Sequence, residues 1–392
     1  MTPTTGRPRI ESVDLVRGLV IVLMALDHTR DFFGDLAADP TAMATTTPAL
    51  FFTRWITHLC APAFFLLTGT GAALSLAKKS KAELSRYLVS RGIWLIFLEL
   101  TVMRFALQFN IDYQTTIITV LWALGWAMIV LAGLIWLPLP AIAAFGLVLI
   151  AGHNLLDGIA PGTFGALAPL WSLLHAPGIV FNDGRHVVLI SYVLIPWVGV
   201  TALGFCLGRL FQQDAPRRRA LLLSLGIGCL AAFLALRALN IYGDPIPWVP
   251  QDTSLRTLMA FLNTAKYPPS LLFLLMTLGP VLLLLRAFDG RTPEIFRPAL
   301  IIGKIPLFFF ILHFFLIHLL AVFASWLRYG EVSALFRSPD LAHFPFSEPP
   351  GWGEPPPVIY AVWIGVVLLL YPLCRRYAEL KRRSTAWWLS YL

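Results

Sequence analysis

Residues 301–327 read IIGKIPLFFFILHFFLIHLLAVFASWL, and Lys304 is the one formal charge among them. A helix rises 1.5 Å per residue, so about 20 apolar residues cross the hydrocarbon layer of a bilayer. This stretch is long enough and apolar enough to do so. It also carries two histidines, His313 and His318, the first of them at a depth where polar groups are costly.

Nine more runs of the same kind flank it, at residues 15–33, 51–76, 87–109, 117–137, 140–156, 187–210, 220–239, 269–285 and 358–374. The fourth and fifth are parted only by Pro138-Leu139-Pro140. Of the 392 residues 58% are apolar and 13% charged, against roughly 25% charged in an ordinary soluble domain. Such a chain lacks the polar surface to coat a water-soluble globule. A disordered chain, a collagen and a basic nucleic-acid binder are excluded on the same count. No segment alternates polar and apolar residues as a lipid-spanning barrel requires. The expected fold is all-α, a single polytopic domain over residues 1–392 with about ten transmembrane helices.

The first run carries Asp14, Arg17, Asp27, His28, Arg30 and Asp31, and no small-residue cleavage site follows it. It reads as a span and not as a signal peptide. Basic residues cluster on alternate connections: Arg7, Arg9 and Arg17, then the 78–91 segment, the 209–219 segment, the 286–304 segment and the tail from Arg375. These hold 21 of the 30 Lys and Arg, with a local net charge of +14, and leave −5 for everything else. By the positive-inside rule both termini are cytoplasmic. The formal +9 therefore describes orientation and not an acidic partner.

The four cysteines, Cys60, Cys206, Cys229 and Cys374, all fall within spans and read as packing residues with no disulfide framework. The long outer connections, near residues 157–186, 240–268 and 329–357, are rich in Pro, Gly and aromatics. Residues 252–263 read as a short amphipathic helix on the outer interface, and 347–357 as a proline-rich loop or lid. Trp387-Trp388 after the basic tail reads as an interfacial anchor. Gly69-Thr70-Gly71 sits at the negative end of its helix, where phosphate is repelled, so close helix packing is the better account. The same holds for Gly204 and Gly208.

Ionisable groups inside spans are functional candidates. Counting 1.5 Å per residue, Asp27 and His28 lie roughly 18–20 Å above the cytoplasmic edge, and Glu99, His58, His153 and His313 fall at about the same height. One plane of such groups suggests a polar chamber. Asp27 and Asp31 share a helix face, Arg30 can reach Asp27, and Arg54 and His58 are also four apart. Glu99 and Arg104, five apart on one helix, read equally as groups that neutralise neighbouring charges without chemistry. The short 110–114 connection brings Asp112 to the outer surface. His153 and His313 read first as structural, bonded to a backbone or hydroxyl neighbour, and His318 as near the outer surface and solvated. No cysteine pair, His-Glu-x-x-His or other metal spacing is present and the histidines lie on different helices, so no metal is expected.

Ser12-Val13-Asp14-Leu15-Val16-Arg17-Gly18, leading into Leu26-Asp27-His28-x-Arg30-Asp31, resembles the start of the heparan-α-glucosaminide N-acetyltransferase-like family of bacterial membrane proteins, in the wider transmembrane acyltransferase superfamily. Arg54-Trp55-x-x-His58-x-x-Ala61-Pro62-Ala63-Phe64-Phe65, Lys266-Tyr267-Pro268-Pro269-Ser270 and Gly303-Lys304-x-Pro306-Leu307-Phe308-Phe309 resemble its later blocks. The resemblance implies a multi-pass protein of the bacterial inner membrane. It implies transfer of an acyl group, acetyl first, from cytoplasmic acyl-CoA to a carbohydrate-type acceptor at the outer side. The lipid bilayer is then a partner and nucleic acid is not. The oligomeric state is open, a homodimer included.

On this reading His28 matches the reaction centre. The eukaryotic enzyme has a histidine between its first two helices, residues 33–48 here have none, and His58 is the candidate to replace it. An imidazole is the side chain closest to the neutral pKa such a base requires. Asp27 or Asp31 would hold its tautomer, and Arg54 or a cationic His58 would stabilise the oxyanion. Arg30, Glu99 and His313 are supporting candidates. Arg17, Arg91, Arg297 and Lys304 lie near helix starts and are candidates for the CoA phosphates. The rival reading is a proton-coupled transporter or lipid-linked sugar flippase, which also needs a layer of Asp, Glu and His.

Overall fold

Several helices begin where a side chain satisfies their first backbone N–H groups. Ser80 and Glu83 form a reciprocal capping box, the Glu83 N–H donating to Ser80 Oγ at 3.2 Å and the Ser80 N–H to Glu83 Oε2 at 2.8 Å. Thr47, Asp214, Thr253 and Ser270 each cap a helix through one side-chain oxygen. The computed structural model describes residues 10–36, 38–339, 347–384 and 386–392. Arg7 and Arg9, used above for orientation, lie outside these.

Fifteen α-helices follow one another among the described residues: α1 (Glu11–Phe33), α2 (Pro48–Thr57), α3 (Cys60–Ser75), α4 (Lys81–Leu98), α5 (Arg104–Gln108), α6 (Val120–Leu134), α7 (Leu139–Gly152), α8 (Ala168–Leu174), α9 (Leu194–Leu210), α10 (Ala215–Leu239), α11 (Ser254–Leu262), α12 (Leu271–Ala287), α13 (Arg297–Gly303), α14 (Pro306–Tyr329) and α15 (Pro356–Arg383). A π-helical turn, Glu99–Met103, joins α4 to α5. Each of the ten apolar runs contains a helix. Five helical stretches are long and apolar enough to cross a membrane: Pro48–Ser75, Leu139–Leu156, Ala215–Leu239, Pro306–Tyr329 and Pro356–Arg383. Shorter apolar helices are α6, α9 and α12. The chain is a helical membrane protein.

Two runs begin in extended backbone. Residues Thr115–Ile118 (β1), Gly178–Asn182 (β2) and Val187–Ile190 (β3) form a small sheet of order β1-β3-β2. β1 runs parallel to β3, pairing Thr115 with Val187 and Ile118 with Ile190, and β2 is antiparallel to β3. The beginnings of the fourth and sixth apolar runs are therefore strands. Their β-branched residues suit a pleated surface as well as a helix, and a short apolar run does not tell the two apart. The amphipathic 252–263 segment is helical as α11. All four cysteines are free, Cys60 and Cys374 buried.

The helices meet backbone to backbone at glycines. A Cβ on Gly18 would lie 1.8 Å from the Ala299 carbonyl oxygen, and one on Gly303 the same distance from that of Asp14, which locks α1 on α13. Gly69, with Gly204 and Gly208, does the same for α3 and α9, and Gly92 with Gly125 for α4 and α6. Without apolar pressure between helices in lipid, such close approach supplies the packing. Burial separates inner helices from outer ones: 61% of the apolar window in Pro48–Ser75 is buried, against 17% in Ala215–Leu239. α1 lies at the centre, touching α2, α3, α12, α13, α14 and α15.

Gly69→Ala is expected to lower the thermal midpoint in detergent, because its Cβ would sit 2.0 Å from the Thr201 carbonyl oxygen and force α3 from α9. Overpacking of this kind costs about 1–3 kcal/mol or more. Gly133→Ala, with nothing within 4 Å of the added carbon, is the matched control and should leave the midpoint unchanged or raised.

Candidate active site

α1 carries Asp27 to a place where its carboxylate meets two guanidinium groups. Arg54, from α2, donates to Asp27 Oδ2, and Arg30 lies 3.1 Å from Asp27 Oδ1. Arg30 also donates to Asp31. The sharing of one α1 face by Asp27, Arg30 and Asp31 is the spacing expected of residues three and four apart. Asp27 is 7% exposed, and a carboxylate so placed is tolerable only when paired.

This cluster lines a cavity of about 1090 Å³, which also takes in His28, His58 and residues of the β1–β3 sheet, of the 263–267 loop and of α14. His58 caps α2 at the break before α3. Its ring packs on Phe273, and its Nδ1 has no hydrogen-bond partner.

The His28 ring is held by His313, not by Asp27 or Asp31. His28 Nδ1 lies 2.7 Å from His313 Nε2, and His313 Nδ1 lies 3.0 Å from the Phe309 carbonyl oxygen. A carbonyl only accepts, so His313 Nδ1 carries a proton and donates it there. With both rings neutral, His313 Nε2 is then the acceptor and His28 Nδ1–H the donor. That chain leaves the lone pair on His28 Nε2, for which no protein hydrogen bond is recorded among the described residues. Phe314 packs on the His28 ring at 4.1 Å between centroids and Phe310 at 6.2 Å, which fixes its plane. A carboxylate on the same helix cannot reach around to Nδ1 while it is bound to two arginines. His313, across on α14, can.

The remaining layer divides. Glu99 accepts from the Thr119 N–H and hydroxyl, both at 2.6 Å, and from the Leu121 N–H at 3.2 Å, so it caps the start of α6. Arg104 turns away from it to Asp112, at 3.0 Å. His153 sits at the end of α7 beside His175, their rings 5.7 Å apart. Glu99 and His153 do not line the cavity. Rotation about the helix axis decides which wall a side chain joins, and a count of residues along the chain does not give it. His318 is fully buried, its ring nitrogens 2.9 Å from the Ala106 and Leu335 carbonyl oxygens and its face on Phe109, and is not solvated.

The four basic residues named as candidates for the CoA phosphates are scattered. Arg17 bonds Asp14 at 3.0 Å and the Gly303 and Leu67 carbonyls at 3.4 Å, tying α1 to α13 and α3. Lys304 follows Gly303 at that junction. Arg91 packs over the Tyr391 ring, and Arg297 pairs with Glu294 at 2.6 Å in solvent.

Lys266, Tyr267 and Tyr192 line the cavity and were not among the sequence candidates. Lys266 and Tyr267 stand in a stretch noticed only as a family block, and their loop position gave no depth signal. Desolvation pushes the Tyr267 phenol upward, and the Lys266 and Arg54 cations outweigh it, so it lies below its ordinary value of 10.0. The Tyr192 ring stands nearly perpendicular to it, with the centroids 5.5 Å apart.

A family model described as heparan-alpha-glucosaminide N-acetyltransferase, catalytic, matches residues 9–243. No curated protein matches the chain. The matched region carries Asp27, His28, Arg30, Asp31, Arg54 and His58, while His313 and Lys266 lie beyond it.

A phenol with a depressed pKa ionises first as pH rises. Alkaline titration of the folded protein, followed by the tyrosinate ultraviolet band, should show one tyrosine ionising below pH 10. That early step should vanish in Tyr267→Phe. An unchanged titration in the variant would assign the step elsewhere.

Proposed function

The chain belongs to the heparan-α-glucosaminide N-acetyltransferase catalytic family, and from that membership we propose that it transfers an acyl group, acetyl first, from cytoplasmic acyl-CoA to a carbohydrate-type acceptor at the outer face of a bacterial inner membrane. Ten spans with both termini in the cytoplasm are the topology that goes with this, supported by the ten helix-bearing runs and the alternating basic connections. The single observation that carries the reading is the His28–His313–Phe309 carbonyl chain, which presents an unprotonated imidazole nitrogen beside the cavity.

In the proposed step the acceptor O–H or N–H gives its proton to His28 Nε2 as its heteroatom bonds to the thioester carbonyl carbon. The tetrahedral oxyanion so formed is stabilised by cations on the cavity wall, Arg54 and Lys266. When the C–S bond breaks, the departing CoA sulfur takes the proton back from His28. Both protons and electrons balance without a covalent acyl-histidine, so direct transfer is the simpler course. His313 is a positioning residue: its bond to Nδ1 sets the His28 tautomer and stabilises the imidazolium formed in the step. Asp27 with its two arginines holds α1 and α2 in register and keeps Arg54 at the wall. Asp31, Asp35 and Glu354, also on the wall, offer carboxylate oxygens to acceptor hydroxyls.

Lys304 and Arg17 mark the α1–α13 junction as the basic site nearest an entering nucleotide, with Arg17 already committed to Asp14. The rival transporter reading has the same buried charges but gives the His28–His313 bond no part in chemistry.

Purified protein in nanodiscs is expected to release CoA from labelled acetyl-CoA and to acetylate an added hexosamine or its lipid-linked form. His28→Ala should lower turnover by about 10²–10⁴-fold with expression unchanged. His313→Phe, which keeps the base but frees its tautomer, should lower kcat more than it raises KM and shift the pH profile. Full turnover by His28→Ala, or substrate flux into liposomes with no acyl donor present, would sink this reading.

A further inference from the structure

We propose that His153, Asp157 and His175 bind a divalent transition-metal ion, zinc by the chemistry of the donors, which staples the outer loop behind the cavity to the end of α7. Two imidazoles and a carboxylate with no thiolate suit zinc and its neighbours in the first transition row, and do not suit calcium or magnesium.

His153 closes α7, Asp157 follows one turn later, and His175 comes directly after α8. One ligand atom from each lies within 4.8 Å of the other two. Zinc holds nitrogen and oxygen donors at about 2.0–2.2 Å, so tetrahedral donors stand about 3.3–3.5 Å apart. His175 Nε2 and Asp157 Oδ1 are already 3.1 Å apart. The His153 nitrogen, within 4.8 Å of both, has the remaining distance to close.

The second observation is independent of the cluster's geometry. His153 and His175 are each 2% exposed, and three of their four ring nitrogens have no hydrogen-bond partner: both of His153 and Nδ1 of His175. Buried imidazole nitrogens are ordinarily satisfied. The Pro269 carbonyl lies beside the His153 ring without meeting hydrogen-bond geometry, so one nitrogen has a carbonyl to turn toward and the other faces the ion. Metal-bound histidines are oriented in this way.

The surroundings hold Asp157 for the role. Asn154 Nδ2 donates to Asp157 Oδ2 at 2.8 Å, leaving Oδ1 for the ion, while Asn154 Oδ1 accepts from the Leu271 N–H at 2.9 Å and anchors the site to α12. Trp171 Nε1 donates to the Ile159 carbonyl at 2.9 Å and closes the loop on itself. Asp157, its side chain 20% exposed, is the side from which a water completes a fourth position. Pro177 and Gly178, just after His175, are part of the cavity wall. The ion would thus brace that wall without touching the reacting groups. The sequence shows no metal-binding spacing and places its histidines on different helices; the fold brings His153 and His175 together with Asp157 across that separation.

The test uses full-length protein in detergent, purified without a histidine tag, stripped with chelator and re-equilibrated with zinc before gel filtration. One zinc per chain and a raised thermal midpoint are expected for the wild type. Both should be lost in Asp157→Ala and His175→Gln, which otherwise elute and fold as the wild type does. Cobalt substitution of the wild type is read separately from any variant. Tetrahedral visible bands with imidazole scattering in the X-ray absorption spectrum support the site. A wild type that retains no zinc, variants that retain as much as it does, or a cobalt spectrum without imidazole would each overturn the proposal.

Discussion

A carboxylate in the middle of a helix bundle must be neutralised or it opens the bundle to water. Asp27 meets that constraint with guanidinium groups from its own helix and from α2. The fold is organised around satisfying it. α1 is central, and α2, which continues past His58 into α3 as one helical stretch, carries Arg54 to it. A buried pair of this kind is a weak source of net stability but a strong specifier of arrangement, because removing either partner leaves a bare charge.

The pairing also explains why the imidazole beside it is held from elsewhere. With both Asp27 oxygens facing arginines, the orienting group for His28 comes from α14, through His313 and the Phe309 carbonyl. Charge compensation and proton handling are thus divided between two helices. The glycine contacts of α1 with α13 bring the following helix, α14, close enough for the two rings to meet at 2.7 Å.

Much of this was legible in order along the chain. The apolar runs locate helices because length and hydropathy alone decide whether a segment can lie in hydrocarbon. Asp27, His28, Arg30, Asp31, Arg54 and His58 announced themselves as polar groups where polarity is costly, and they share one cavity. Gly69, Gly204 and Gly208 were recognisable as contact points by spacing. The count along each span grouped Glu99 and His153 with them, but that count carries no information on rotation about the helix axis. Val187–Ile190 read as part of a span because four apolar residues before a helix look helical until a partner strand is known.

Local composition determined the class of the protein, its helical runs and the identity of the polar residues at depth, since each depends on a residue's own transfer cost and on neighbours within a turn. Tertiary structure alone decided that His313 holds His28, that Lys266 and Tyr267 join the cavity, that Glu99 caps a helix, and that His153, Asp157 and His175 converge. These depend on the rotation of each helix about its axis and on loops that return from far along the chain. Such quantities are set by packing at a few glycines and one buried ion cluster, and no pattern along a single segment encodes them.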